Sequence, residues 1–398
     1  MSQDPYAVLG VKRRINAAGT LTRLGGALMD EEVLAAMAAA ARASVDIGEL
    51  QAAASGAIAR ITGAQAGMVT TGAAAALTLA AAASMTRWDI AKMAALPRTD
   101  GFANEILLPR THHTGYAHAL RASGAILVDL GHNDRGTGAG VRGLEPWEIE
   151  AAITPRTAAF AFSATPQNAA DLAIVVEVCR PRRIPVIVDA AAQLPPKSNL
   201  RRFFELGADL VAFSGGKAIG GPQASGILAG RRDLVGAALV QQLDMDVSPA
   251  TWWTPPDLID RDALKGVPHH GLGRGFKTGK EEIVGLLAAL ERFAAADDEA
   301  ANAALQARLE RIAQQLGDLP GISKRIVPAR ETGRVPQLQL AMERIDAHVL
   351  SRRLQAAATP VHLSERFAAQ GILIVDPQAL RAEDDAALAA AVRGAVLG

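Results

Sequence analysis

The chain has 398 residues, 49% hydrophobic and 21% charged, and its 41 basic and 41 acidic side chains cancel to a formal net charge of zero. That length suits one large two-part domain or two modest ones, and the charge balance argues against a nucleic-acid partner, because non-specific binding to a polyanion rests on an excess of Lys and Arg. The single cysteine, Cys179, excludes an intrachain disulfide; its apolar surroundings, LAIVVEVC, read as a small buried hydrophobe in a reducing compartment.

The N-terminus, MSQDPYAVLGVKRRINAAGT, lacks the basic-then-apolar pattern of a signal peptide. The run Ala73–Ala83 is too short and too weakly apolar to span a bilayer. The expectation is a cytoplasmic protein without a membrane partner.

Asp30, Glu31 and Glu32 open the run DEEVLAAMAAAARA, placing negative charge at the positive end of a helix. Thr71-Gly72 precedes an Ala/Leu helix to about Ser84, and Pro146 suits the first turn of a helix through Trp147 and Ile153. Between them lie the apolar runs GMVTT, EILLP, AILVDL, AAFAFSA, IPVIVDA and DLVAFSG. Without polar/apolar alternation they read as strands buried on both faces, so Gly67–Gly230 is predicted to be an α/β core with a largely parallel sheet. After about Gly285 comes a long helical stretch, then the shorter strand candidates RVPQLQLAM and GILIVD and a terminal helix. This divides the chain into an N-terminal segment (1–60), a large domain (61–285) and a smaller C-terminal α+β domain (286–398).

Eight of the basic residues are lysines, and Lys217 stands apart from the other seven. It follows the strand DLVAFSG and enters the turn SGGKAIGGPQASG. An amine just beyond a buried strand loses hydration, which lowers its pKa and frees it to attack a carbonyl. The flanking glycines would let a planar cofactor approach the backbone; the plain alternative is a surface-turn lysine. Asp189 ends the strand IPVIVDA, where a carboxylate can keep a pyridinium nitrogen protonated. Thr70-Thr71-Gly72-Ala73-Ala74 joins a strand to a helix start, a place suited to phosphate or to a simple cap. His112 follows EILLP, where an imidazole can stack on a ring. His112, His113 and His118 lack a Cys or carboxylate at ligand spacing, so no metal is expected. GRGFKTGKE fails as a P-loop because Arg274 stands at the first glycine and Glu281 at the Ser/Thr; the Lys217 turn fails with Val211 at its first glycine.

Several ordered segments, RRINAAGTLTRLGG, TTGAAAALTLAAAA, HALRASGA, VIVDAAAQLPP, LVAFSGGKAIGGPQASGIL and GRGFKTGKEEIVGLLAALE, together resemble the bacterial selenocysteine-synthase-like group of pyridoxal-5′-phosphate (PLP) enzymes. That group includes the L-seryl-tRNA selenium transferases and the D-glucosaminate-6-phosphate ammonia-lyases. The resemblance runs from about Arg14 to Glu291, with a looser match beyond. It implies the aspartate-aminotransferase-like (type I) fold, with a seven-stranded sheet in the large domain. It implies Lys217 as the Schiff-base residue, Asp189 as the pyridinium partner and His112 as the stacking group. Thr71, Gly72, Ala73 and Ser214 match positions that hold the PLP phosphate. Arg274, Lys277 and Lys280 align with a basic segment that can reach a cofactor or substrate anion across a subunit interface, which implies a homodimer or larger homo-oligomer. Asn16, Thr20 and Arg23 are implied pocket residues, and Arg366 an implied carboxylate ligand, with a solvated surface arginine as its alternative.

Some positions depart from the group. NAAGT begins at Asn16, leaving no room for the transferases' extra N-terminal domain, and SGGK stands where they carry SGDK. Thr111 precedes His112 where the ammonia-lyases would carry glycine. The expected activity is α,β-elimination from a small hydroxylated 2-amino acid or aminosugar acid, giving a 2-oxo acid and ammonia. Racemisation or aldol cleavage is the alternative; selenium or sulfur transfer and a non-catalytic PLP-binding protein rank below it.

Overall fold

The computed structural model describes residues 4–133 and 143–397. Its strands are β1 (Ile15–Ala17), β2 (Ala66–Thr70), β3 (Glu105–Pro109), β4 (Ile126–Leu130), β5 (Thr157–Ser163), β6 (Val186–Asp189), β7 (Leu210–Ser214), β8 (Gly226–Gly230), β9 (Ile322–Val327), β10 (Gln337–Met342), β11 (Val361–Phe367) and β12 (Ile372–Val375). The chain divides into two compact units, one of Met29–Ala294 and one combining Met1–Leu28 with Ala295–Gly398. Residues 29–60 therefore fall in the larger unit, whereas the sequence reading grouped them with the N-terminal segment.

The larger unit is built on a seven-stranded sheet of order β2-β8-β7-β6-β5-β3-β4. β8 runs antiparallel to both neighbours, and the remaining pairs are parallel. Both faces are covered, which is why the strands read as continuous apolar runs. Val188, Val211, Phe213 and Ile227 enter one buried layer; Ile187, Leu210, Ala212 and Leu228 enter the layer on the other face. The second layer is closed by the helix Gly72–Thr86, buried along nearly its whole length. Its alanines let that helix lie close to the sheet, since a helix apolar all round belongs in an interior.

Why residues 29–60 join this unit is visible at the sheet edge. The helix Ile47–Thr62, capped by Asp46 (Glu49 N to Asp46 Oδ1, 2.9 Å) and ended by Gly63 at φ +74°, covers β2. The fully buried Gln51 donates to Val69 O at 2.8 Å and accepts from Val69 N at 2.9 Å, and Ser55 Oγ accepts from Gly67 N at 3.0 Å. An open strand edge would leave these groups unpaired. A Cβ at Gly67 would stand 2.3 Å from Ile58 Cγ2, so glycine is what admits the helix.

The smaller unit has a five-stranded sheet, β1-β11-β12-β10-β9, in which only the β1–β11 pair is parallel. β10 alternates, with Leu338 and Leu340 buried and Gln337 and Gln339 half-buried, so one face meets the core. The helices Asp298–Leu316, Ala347–Ala356 and Asp385–Leu397 supply that core. Arg308 ties two of them through Asp385, with Nη2 to Oδ1 at 2.6 Å. Among the described residues, no helix is long and apolar enough to cross a membrane. Cys179 is fully buried, and that burial pushes its thiol up to about 12.

Candidate active site

Parallel strands deliver their last residues to one rim of a sheet, and loops at that rim are where α/β proteins bind ligands. Register places Ser163 of β5 beside Asp189 of β6, and Asp189 beside Ala212 of β7. Asp189 Oδ1 accepts from Ala191 N at 3.0 Å. Burial pushes the Asp189 carboxyl above its usual range, while that hydrogen bond and the charge of Lys217 pull it back. Lys217 and Asp189 thus lie within Coulombic reach, a half-buried acid ending β6 and an amine in the turn after the adjacent β7.

Lys217 sits in a turn whose backbone is held by Gly215 N to Ser225 O, Gly221 N to Gly215 O and Gly220 N to Lys217 O, each 2.9 Å. A Cβ at Gly215 would lie 2.2 Å from Ser225 Oγ, and one at Gly216 2.4 Å from Gln223 Cα. These two glycines are required by the turn folding back on itself, a demand separate from the approach of a ligand that the sequence suggested.

His112 ends a short 3-10 turn after β3 and lines one crevice with Asp189 and Tyr116. Its ring meets Phe162 edge-on, with centroids 4.6 Å apart and planes at 87°. Burial lowers its pKa to about 4, so the imidazole is neutral at physiological pH. Asn168 Nδ2 lies 3.1 Å from Nε2, Ser163 Oγ donates to the His112 carbonyl at 3.2 Å, and Ser163 N approaches Nδ1 at 3.4 Å. Asn168 was not singled out in the sequence; its place beside a turn gave no cue to a partner 56 positions away. His113 turns elsewhere, to Asp129 Oδ1 at 2.6 Å.

The strand-to-helix junction at Thr71 is organised by close backbone contact. Gly72, at φ +78°, opens the fifteen-residue helix, and a Cβ at Gly226 would stand 2.4 Å from Gly72 C and 2.6 Å from Ala73 N. Thr70 and Ser214 flank Gly226 across the sheet. Thr71 Oγ1 lies 2.7 Å from Phe276 O and 2.9 Å from Lys277 O, so its hydroxyl anchors the basic segment. That leaves the N–H groups at the helix start as the donors for an anion. Within the segment, Arg274 pairs with Asp244, Lys280 with Glu281, and Lys277 is exposed. Asp244, Asp246 and His270 form an exposed acidic group already engaged by Arg274.

The other expected pocket residues lie in the smaller unit. Asn16 Nδ2 donates to Gly19 O at 3.1 Å and its Oδ1 accepts from Ala18 N at 3.0 Å, while Thr20 is half-buried. Arg23 is exposed and its charge, after burial, depresses the pKa of His362, whose buried ring nitrogens have no hydrogen-bond partner among the described residues. Arg366 stacks at 5.5 Å on Phe367 and acts on Arg334, close to the buried Asp376. His362, Arg334 and Asp376 were not singled out in the sequence, since each sits in an ordinary strand or turn context.

The residues fit PLP: an amine, a half-buried acid that can face a cationic ring nitrogen, a neutral imidazole beside them, and a helix start suited to phosphate. The architecture is that of the aspartate-aminotransferase-like (type I) fold. A family model for L-seryl-tRNA selenium transferase matches residues 186–246, the stretch holding Asp189 and Lys217. The chain is 27% identical over 405 residues to D-glucosaminate-6-phosphate ammonia lyase of Salmonella typhimurium (strain 14028s / SGSC 2262), covering 99% of this chain and 98% of that one. It is 29% identical to the 5′-C-glycyluridine monooxygenase-decarboxylase of a Streptomyces species, covering 94% and 88%. A solved D-glucosaminate-6-phosphate ammonia-lyase superposes with a TM-score of 0.81 at 28% identity, covering 100% of this chain and 99% of that one. By these likenesses the chain is similar to the selenocysteine-synthase-like group of type I fold enzymes.

Proposed function

We propose that this chain is a PLP-dependent lyase that removes the 3-hydroxyl and the 2-amino group of a small hydroxylated amino acid or aminosugar acid, releasing a 2-oxo acid and ammonia. The observation that carries the reading is the placement of the half-buried Asp189 at the end of β6, beside β7, whose following turn carries Lys217 at the same rim of the sheet. When bound, PLP supplies an aldehyde for the substrate amine and a ring that accepts the electrons left at Cα. Lys217 Nζ anchors the cofactor and then takes the Cα proton; Asp189 holds a proton on the ring nitrogen opposite. His112, neutral because it is buried, covers the ring without adding charge. The N–H groups of Gly72 and Ala73, with Ser214 beside them, hold the phosphate, while Thr71 braces the segment from Phe276 to Thr278.

The ammonia-lyase relative, alike over nearly the whole chain, supports a glucosaminate-like substrate. In this reading Asn16, Thr20, Arg23 and Arg366 serve the substrate, and Arg274, Lys277 and Lys280 serve an anion shared with a second copy in a homo-oligomer. The protein works in the cytoplasm on small molecules, without nucleic acid.

The test is product analysis with aminosugar acids and 3-hydroxy amino acids. Ammonia and 2-oxo acid in equal amounts support elimination, with both lost in Lys217→Ala. Inverted amino acid, released aldehyde, or carbon dioxide with oxygen uptake would replace it with racemisation, aldol cleavage or oxidative decarboxylation. A protein that takes up no PLP removes the reading altogether.

A further inference from the structure

At the opposite end of the same sheet lies a second cavity of about 440 Å³. It is reached from the amino ends of the strands: Val186, which lines it, begins β6, whereas Asp189 ends that strand. Four arginines line it, Arg87, Arg180, Arg183 and Arg231, against two carboxylates, Asp209 and Asp233. The lining thus carries two more positive charges than negative ones.

The carboxylates are already taken. Arg231 grips Asp233 with two bonds, Nε to Oδ1 at 3.0 Å and Nη2 to Oδ2 at 2.6 Å, and reaches Asp209 Oδ1 at 3.3 Å. The other oxygen of Asp209 accepts from Val186 N at 2.9 Å. Arg87 is left with a contact of 3.4 Å to the Asp233 oxygen that Arg231 already holds. Arg180 and Arg183 form no ion pair among the described residues. Burial and the charge of Arg231 hold the Arg87 guanidinium below its ordinary value, against the pull of Asp233 and Asp209. Two of these arginines, Arg87 at φ +49° and Arg183 at φ +56°, occupy the left-handed backbone region that side chains other than glycine rarely adopt. Trp88 adds a flat apolar wall to the same cavity.

We propose that this cavity binds a small oxyanion of charge −2 or greater, carried on a phosphate or polycarboxylate metabolite, through Arg87, Arg180 and Arg183. Guanidinium forks match both groups by paired hydrogen bonds, and the volume lies in the range of small-molecule sites. The site is separate from the Lys217 rim and stands whether or not the lyase reading holds.

Calorimetric titration tests it, using cofactor-loaded protein so that the helix start at Gly72 is not free to take the probe. The probes are inorganic pyrophosphate and citrate at constant ionic strength, which separates binding from screening. Saturable heat is expected from at least one of them, and the probe that binds assigns the ligand to phosphates or polycarboxylates. The double variant Arg180→Gln, Arg183→Gln is expected to bind at least tenfold more weakly while melting, without anion, at the wild-type temperature. No saturable heat with either probe overturns the proposal. So does unchanged affinity in a variant that melts normally. If that variant melts low, Arg183→Lys, which keeps the charge but loses the fork, decides in its place: affinity equal to wild type overturns the site, and weakening supports it.

Discussion

The amide of Asn168 is pinned against the Nε2 edge of the His112 ring. Asn168 Oδ1 accepts from Thr165 N at 2.8 Å and Nδ2 donates to Ser163 O at 2.9 Å, so the amide cannot turn over without losing both bonds. Its Nδ2 therefore faces His112 Nε2 at 3.1 Å, and Ser163 N donates to Nδ1 at 3.4 Å, so an N–H group meets each ring nitrogen and a second ring proton is disfavoured. Asn168→Asp reverses the polarity at Nε2. The His112 pKa should rise from about 4, by about one unit or more, as beside any close carboxylate. Nitrogen chemical shifts of the ring measure it, and an unmoved titration rejects the contact.

The neutral state of His112 also sets a stability profile. Its folded pKa of about 4 lies below the ordinary value of 6.5, so the unfolded chain binds a proton more readily than the folded one between these values. This contribution is whole above pH 6.5 and is lost as pH falls towards 4, on the order of 3 kcal/mol in all. Urea unfolding at pH 7 and pH 5 should show a smaller loss for His112→Asn than for wild type. An identical loss in the two proteins contradicts a buried neutral ring.

Gln51 closes the β2 edge at Val69, as Ser55 does at Gly67. Gln51→Leu keeps the bulk and removes both bonds to Val69, leaving a buried N–H unpaired and its carbonyl with only Thr278 Oγ1 at 3.4 Å. A loss of about 2–4 kcal/mol is expected from two such groups. The denaturation midpoint reports it, and a change within about 0.5 kcal/mol, the size of ordinary surface effects, would contradict the assignment.

Gly226→Ala probes the helix start without touching Lys217 or Asp189. Its methyl would meet Gly72 C at 2.4 Å, and neither backbone can yield alone. Overpacking of this kind costs about 1–3 kcal/mol. PLP affinity, followed by absorbance titration, should fall with stability if the N–H groups of Gly72 and Ala73 hold the phosphate. Stability lost with affinity intact would move the phosphate elsewhere.

Much of the larger unit was legible because burial on both sheet faces leaves a plain signature. VIVD and LVAFS read as buried strands and are β6 and β7. Lys217 stood out because it follows a buried strand into a glycine-rich turn, whereas Asp189, an ordinary strand-end acid alone, gained weight only beside it. β8 was not read: GILAG begins and ends in glycine, and its antiparallel course depends on the turn before it rather than on local propensity. The Asn168–His112 bond was invisible because it depends on how β3 and β5 pair, and pairing leaves no mark on either segment alone. Residues 29–60 were misplaced for a similar reason. The amide of Gln51 looks like any exposed polar group until the edge it covers is known.

The reversed course of β8 limits how this chain can diverge. Ile227 and Leu228 enter different layers of the core, so a one-residue slip of β8 between β2 and β7 would turn each into the wrong layer. A change of length in Gly220–Ser225 must therefore be absorbed within the loop itself, and relatives with diverged chemistry are expected to vary there while the pairing of β8 stays fixed.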